Sequence, residues 1–187
     1  MCKITPKLNK GLKILCFNVE GLASELEDPY FVDMIYEHDI CLLNETWRSD
    51  DSKIGLPGLW DFSLIRTKVK KTGRHSGGIT VFCKEGLRSG VKVSHHSEGF
   101  VWLKLDQQFF NLTNPLFICA TYIPPEYTSK HINLKTDYFQ AISESLLKYS
   151  RLGNIVMAGD FNARIGSHEM DQNFDIPCID HLGPFNT

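Results

Sequence analysis

Residues 159–162 read Gly-Asp-Phe-Asn, which sets Asp160 and Asn162 two apart, just beyond an apolar stretch at 155–158. In an extended chain, side chains two apart point the same way, so a carboxylate and an amide converge on one spot. Such a pair suits chemistry on phosphate. The carboxylate can orient or deprotonate water, and the amide can donate to that water or to a phosphoryl oxygen. The same two residues equally suit an Asx-type turn in which they bond only the local backbone.

Other polar residues stand at the ends of other apolar runs. Asn18 closes the run at 12–19, Glu45 follows 40–43, and Tyr122 lies near the end of 116–123. Layered α/β folds carry their sites at strand ends, which makes Asn18, Glu45, Tyr122, Asp160 and Asn162 the candidate set. Each also has an ordinary reading. A glutamate after a buried strand can serve as a rim ion-pair partner, and a tyrosine there can be a half-buried strand aromatic.

The elements that must position these residues alternate between strand and helix. Strands are predicted over 12–19, 40–43, 77–83, 100–105 and 116–123 and around Ile155, and a turn over 56–60 with Pro57 and Gly58. In the strand at 100–105, Val101, Leu103 and Leu105 alternate with Trp102 and Lys104. Helical spacing of Tyr30, Phe31, Met34 and Ile35 predicts a helix over 29–37. Leu134, Tyr138, Ile142, Leu146 and Tyr149 predict a second over 130–149.

Composition narrows the function classes. At 187 residues with 42% apolar side chains, the chain is expected to be one globular domain and not a disordered segment. A net charge of −2 leaves any nucleic-acid affinity to a local patch. Arg66, Lys68, Lys70, Lys71, Arg74 and His75 form such a patch, which serves as well as a solvated hairpin tip. Cys2, Cys16, Cys41, Cys83, Cys119 and Cys178 are scattered without a CxxC pair, the pattern of reduced core thiols and not of a disulfide framework or zinc site. With no membrane-length apolar run and no apolar signal region at 1–10, the expected compartment is nucleus or cytoplasm, with no membrane partner and no secretion.

Five segments in order carry a resemblance: Cys-Phe-Asn-Val-Glu-Gly (16–21), Leu-Leu-Asn-Glu-Thr-Trp (42–47), Ser-Gly-Gly-Ile (76–79), Ala-Thr-Tyr-Ile-Pro-Pro (120–125) and Gly-Asp-Phe-Asn-Ala-Arg-Ile-Gly (159–166). Together they resemble the endonuclease/exonuclease/phosphatase superfamily over about residues 12–168. The wording is most similar to the endonuclease domain of LINE-type (non-LTR) retrotransposons. The resemblance implies a four-layer α/β sandwich, two packed mixed β-sheets flanked by helices. It would occupy 12–187 after an N-terminal tail at 1–11 and be incomplete at its C-terminal side, with an unpaired strand edge and an exposed apolar face.

The resemblance also implies roles. Glu45 would ligate Mg2+, with Mn2+ as a substitute, and Asn18 would lie beside the ion. Asp160 would activate water, Asn162 would position it, and Tyr122 would contact the phosphate. The implied reaction is DNA nicking, and a full-length parent would add a reverse transcriptase domain. One departure matters: the family pattern places a Ser-Asp-His segment several tens of residues past Gly-Asp-Phe-Asn. Here Cys178-Ile179-Asp180-His181 brings Asp180 only 18 residues after Asn162. His181 is therefore expected to be a solvated loop histidine, and nicking to be impaired to near background. The alternatives are a phosphatase acting on a small phosphoester and a catalytically dead retrotransposon-derived fragment.

Overall fold

Eight strands form two four-stranded sheets in the computed structural model, which describes residues 11–66, 75–125 and 137–162. In chain order they are β1 (Ile14–Asn18), β2 (Ile40–Asn44), β3 (Leu59–Leu64), β4 (Ile79–Lys84), β5 (Val91–Ser97), β6 (Phe100–Leu105), β7 (Leu116–Tyr122) and β8 (Asn154–Asp160). The helices are α1 (Leu22–Glu25), α2 (Pro29–Glu37) and α3 (Tyr138–Ser150), with a 3-10 turn at Glu85–Gly90. One sheet has the order β1-β2-β4-β3 and the other β5-β6-β7-β8. Each is mixed, because β1 and β2 run parallel, as do β7 and β8, while the remaining pairs are antiparallel.

Strand periodicity explains the layering. Ile40 and Leu42 of β2 and Ile79 and Val81 of β4 interlock with Val101 and Leu103 of β6 and Ile118 and Ala120 of β7 in the core between the sheets. Intervening residues face outward onto helices. Cys41, Leu43 and Phe82 meet Phe31 and Ile35 of α2. Trp102, Phe117 and Cys119 meet Ile142 and Tyr149 of α3, where Trp102 Nε1 donates to Ser145 Oγ at 2.9 Å. The expected four layers are present: helix, sheet, sheet, helix.

Local chemistry sets the helix ends. Asp28 accepts from the Tyr30 amide at 2.9 Å and Pro29 begins α2, so the helix spans the predicted residues. Tyr30, at 83% exposure, points to solvent instead of joining the apolar face. Asp137 caps α3 by accepting from the Gln140 amide at 3.1 Å, and the predicted helical stretch at 130–136 lies outside the described residues. Among the described residues, β1 and β8 are both sheet edges on the same side of the sandwich. There Cys16 and Val156 are exposed on the inter-sheet face, and Phe17 is exposed on the face that bears α2.

Candidate active site

Four strand ends converge. Asn18 ends β1 opposite Asn44 at the end of β2, and Tyr122 ends β7 opposite Asp160 at the end of β8. Ile14, Ile40, Leu42, Ile118, Ala120 and Ala158 face the inter-sheet core, so the period-2 rule turns Asn18, Asn44, Tyr122 and Asp160 toward the same space.

Two side-chain bonds join the sheets across that space. Asn18 Nδ2 donates to Asp160 Oδ2 at 3.1 Å. The Tyr122 hydroxyl donates to Glu45 Oε1. Residues up to 142 positions apart in sequence are thereby brought into one cluster. Of the sequence-predicted set, Asn18, Glu45, Tyr122 and Asp160 meet here.

Glu45 enters the cluster through its backbone. Glu45 and Trp47 adopt left-handed conformations, φ 56° and 52°, which are uncommon for non-glycine residues. Main-chain bonds on both sides hold the turn: Gly21 N to Glu45 O at 2.9 Å, Leu22 N to Thr46 O at 3.1 Å, and Trp47 N to Gly77 O at 2.9 Å. The second carboxylate oxygen, Oε2, accepts from Trp47 Nε1 at 2.6 Å.

Asn162 behaves differently from the spacing argument. The strand ends at Asp160, and Asn162 is left-handed at φ 45°, so side chains two apart no longer share a direction there. Its amide nitrogen donates to Asp160 Oδ1 at 3.0 Å, an Asx-type turn, and its Nδ2 donates to Ile123 O at 2.8 Å. Asn162 therefore fixes the Asp160 carboxylate and ties the loop after β8 to the end of β7.

Electrostatics support a neutral phenol at the centre. Tyr122 is 1% exposed, and burial first, then the bond to and charge of Glu45, raise its pKa well above the usual tyrosine range; Arg66 opposes that shift. Cys16, on the same face of β1, has its thiol pushed up by partial burial and by Asp160.

Arg66 departs from the expected surface patch. It is 5% exposed, and its side chain and the Tyr122 ring both abut Gly77, where a Cβ would lie 2.9 Å from Arg66 Cδ and 3.0 Å from Tyr122 Cε1. The missing side chain at Gly77 lets this cation tuck beneath the site instead of standing on a solvated turn. Its charge also opposes the burial that raises the Tyr138 phenol. Lys68, Lys70, Lys71, Arg74 and the Asp180-His181 pair lie outside the described residues.

Two further residues were not assigned roles from sequence. Asn44 is buried with Oδ1 unpartnered, and the alternation Ile40, Leu42, Asn44 was the signal that could have placed it. Trp47 carried no such signal, because only the left-handed turn brings its ring back to Glu45.

Among the described residues, no group of three or more His, Cys, Asp or Glu side chains is placed to hold a metal. Mg2+ is commonly held by one or two carboxylates, with waters and substrate phosphate completing its shell. Glu45 and Asn18 offer oxygen donors of that type, and the unpartnered Asn44 Oδ1 and Thr46 Oγ1 flank Glu45 in sequence as further buried acceptors.

No curated protein sequence matches this chain. The 3' phosphatase NExo from Neisseria, solved with a product DNA hairpin, is similar over 84% of this chain and 60% of that one, at 16% identity and a TM-score of 0.57. The APE2 catalytic domain from Xenopus laevis is similar over 81% and 59%, at 14% identity and a TM-score of 0.57. The endonuclease domain of TRAS1, a telomere-specific non-LTR retrotransposon, is similar over 82% and 62%, at 14% identity and a TM-score of 0.47. The chain thus spans about 60% of the length of the first of these relatives, and the likeness to the first two is one of fold. A sequence profile described as the Endonuclease/Exonuclease/phosphatase family matches residues 15–182, a stretch that includes every strand end described above. The chain belongs to the endonuclease/exonuclease/phosphatase family.

Proposed function

We propose that this chain is a divalent-metal-dependent phosphodiesterase domain that nicks DNA. The observation carrying the reading is the pair of bonds, Asn18 to Asp160 and Tyr122 to Glu45, that draws two carboxylates, an amide and a neutral phenol from two sheets onto one spot. Family membership supports phosphoester hydrolysis as the reaction class.

In this reading Glu45, with Asn18 beside it, would hold Mg2+, for which Mn2+ could substitute. When bound, that ion would supply Lewis-acid stabilisation of charge on the phosphate and the leaving oxygen. Asp160, fixed by Asn162 N on one oxygen and Asn18 on the other, orients the attacking water and accepts its proton. Water attacks phosphorus in line as the bond to the ester oxygen breaks, and the departing oxygen takes a proton from solvent. Tyr122, whose raised pKa keeps its proton at neutral pH, gives that one O–H to Glu45 Oε1 in the free chain and would turn it to a phosphate oxygen when substrate binds. Arg66 adds positive charge beneath Tyr122.

DNA is favoured over a small phosphoester by the retrotransposon-like wording of the motifs and by the basic run Lys68, Lys70, Lys71 and Arg74. Residues 1–187 contain no Ser-Asp-His triplet, the nearest run being Cys178-Ile179-Asp180-His181. General acid–base help is worth about 10²–10⁴ in rate, so turnover by this chain is proposed to be lower by that order than in a domain carrying the segment. A full-length parent with a reverse transcriptase domain is part of the same reading.

The test incubates excess chain with supercoiled plasmid in Mg2+ or EDTA, and in parallel with sugar and lipid phosphates. Slow Mg2+-dependent nicking is expected, raised by appending the C-terminal part of a related domain. Phosphate release without nicking would replace DNA by a small phosphoester. Salt-dependent DNA binding with no hydrolysis, even after that addition, would identify a catalytically dead fragment.

A further inference from the structure

Trp47 lies two residues past Glu45, and its indole is held in place by more than the bond it makes. Nε1 donates to Glu45 Oε2 at 2.6 Å while Tyr122 donates to Oε1, so each oxygen of the carboxylate accepts one side-chain donor. The indole lies against Gly21, where a Cβ would come within 2.7 Å of Trp47 Cε3. Gly21 itself is at φ 121° and donates its amide to Glu45 O at 2.9 Å. Glycine at 21 therefore does two things at once: it leaves room for the ring and it ties the loop after β1 to the Glu45 turn.

We infer that Trp47 is a positioning residue that fixes the Glu45 carboxylate for the metal ion. This rests on the reading of Glu45 as a metal ligand. A carboxylate has about four lone-pair sites, so one donor on each oxygen leaves acceptor capacity free while stopping rotation of the group. A cation then meets a carboxylate already oriented, and the ordering cost falls on folding instead of on binding. Partners of this kind, hydrogen-bonded to a metal's own ligands, typically change metal affinity by about 10–100-fold when removed.

Trp47→Phe keeps an aromatic ring over Gly21 and removes the N–H donor. Mn2+ binding is followed by electron paramagnetic resonance in the wild type, Trp47→Phe and Glu45→Gln. The expected result is about a tenfold weaker affinity in Trp47→Phe and none in Glu45→Gln. Trp47→Phe binding as tightly as the wild type, with Glu45→Gln unable to bind, would overturn the role of Trp47 and leave Glu45 as the ligand. A wild type that binds no Mn2+, or a Glu45→Gln variant that binds it normally, would overturn both. Should Trp47→Phe fail to fold, Tb3+ provides a second reading on the unaltered chain. Tryptophan-excited Tb3+ emission is expected in the wild type and in Trp60→Phe, and lost in Glu45→Gln. Tb3+ bound without that emission would place the ion away from Trp47 and refute the inference.

Discussion

Gly159→Ala should destabilise the fold severely, and the structure sets the scale. Gly159 pairs with Thr121 one step before the Tyr122–Asp160 pair, at φ 149°, and a Cβ there would lie 1.9 Å from Thr121 O. The two strands would have to part by about 1 Å before that contact reached 3.0 Å. A side chain held in so sparse a backbone region costs about 1–3 kcal/mol. Forcing volume into a packed position costs about 1–3 kcal/mol more. The combined loss of about 2–6 kcal/mol is a large share of the roughly 5–15 kcal/mol that stabilises a typical domain. For a chain of this size it corresponds to a melting point lower by about 4–24 °C. Gly58→Ala is the control, because φ there is 72° but nothing lies within 4 Å. Left-handed backbone alone costs about 1–2 kcal/mol. Circular dichroism melts of both variants make the comparison. A Gly159→Ala protein that melts no lower than Gly58→Ala would refute the close approach of β8 to β7 on which the position of Asp160 depends.

Burial pushes the Cys41, Cys83 and Cys119 thiols up to about 12 from an ordinary 9.0, and Tyr122 is raised as well. Raised pKa values in the folded state mean that the unfolded chain loses these protons first. Stability is therefore complete below about pH 9 and falls as pH climbs toward 12. Urea midpoints between pH 8 and pH 11 should decline, and a flat series would contradict the burial of these groups. Ser145→Ala removes the acceptor of the buried Trp102 N–H, at a cost of about 1–3 kcal/mol visible in urea unfolding, with Mn2+ affinity unchanged. Unchanged unfolding would show that this bond adds nothing. Val156, 41% exposed on β8, which is an edge strand among the described residues, should promote self-association. Val156→Lys should shift sedimentation velocity profiles toward monomer, and identical profiles would remove this edge as the cause.

Much of the fold was legible because its central strands are continuous apolar runs. β2 and β6 and helix α2 fall within a residue of expectation, since burial on both faces or a capping Asp-Pro pair leaves little ambiguity. β3 was hidden: Pro57-Gly58 signals a turn, and Asp61 and Ser63 interrupt the apolar pattern of an edge strand whose Ser63 hydroxyl bonds Thr80 across the ladder at 3.0 Å. β5 was hidden by its exposed Lys92, His95 and His96 and by a register shift between Val93 and His95, which breaks the period of two. For the candidate site, strand ends pointed to Asn18, Glu45, Tyr122 and Asp160, which the fold brings together, while the roles assigned to them came from the resemblance alone. The Asx-type turn at Asp160–Asn162 was one of the two readings the sequence offered, and it is the one the fold adopts. The left-handed turns at Glu45 and Trp47 were not legible, because they arise from long-range backbone bonds to Gly21 and Gly77 that leave no periodic trace.

The central claim is that Glu45 and Asp160, delivered by different sheets, act as one hydrolytic unit. Single-turnover nicking rates with excess chain in Mg2+ test it most directly, measured for the wild type, Glu45→Gln, Asp160→Asn and the double variant. Groups that act together lose their effect together, so each single substitution should abolish Mg2+-dependent nicking and the double should lose no more than either single. Nicking that persists unchanged in both single variants, or losses that multiply independently in the double, would contradict the account.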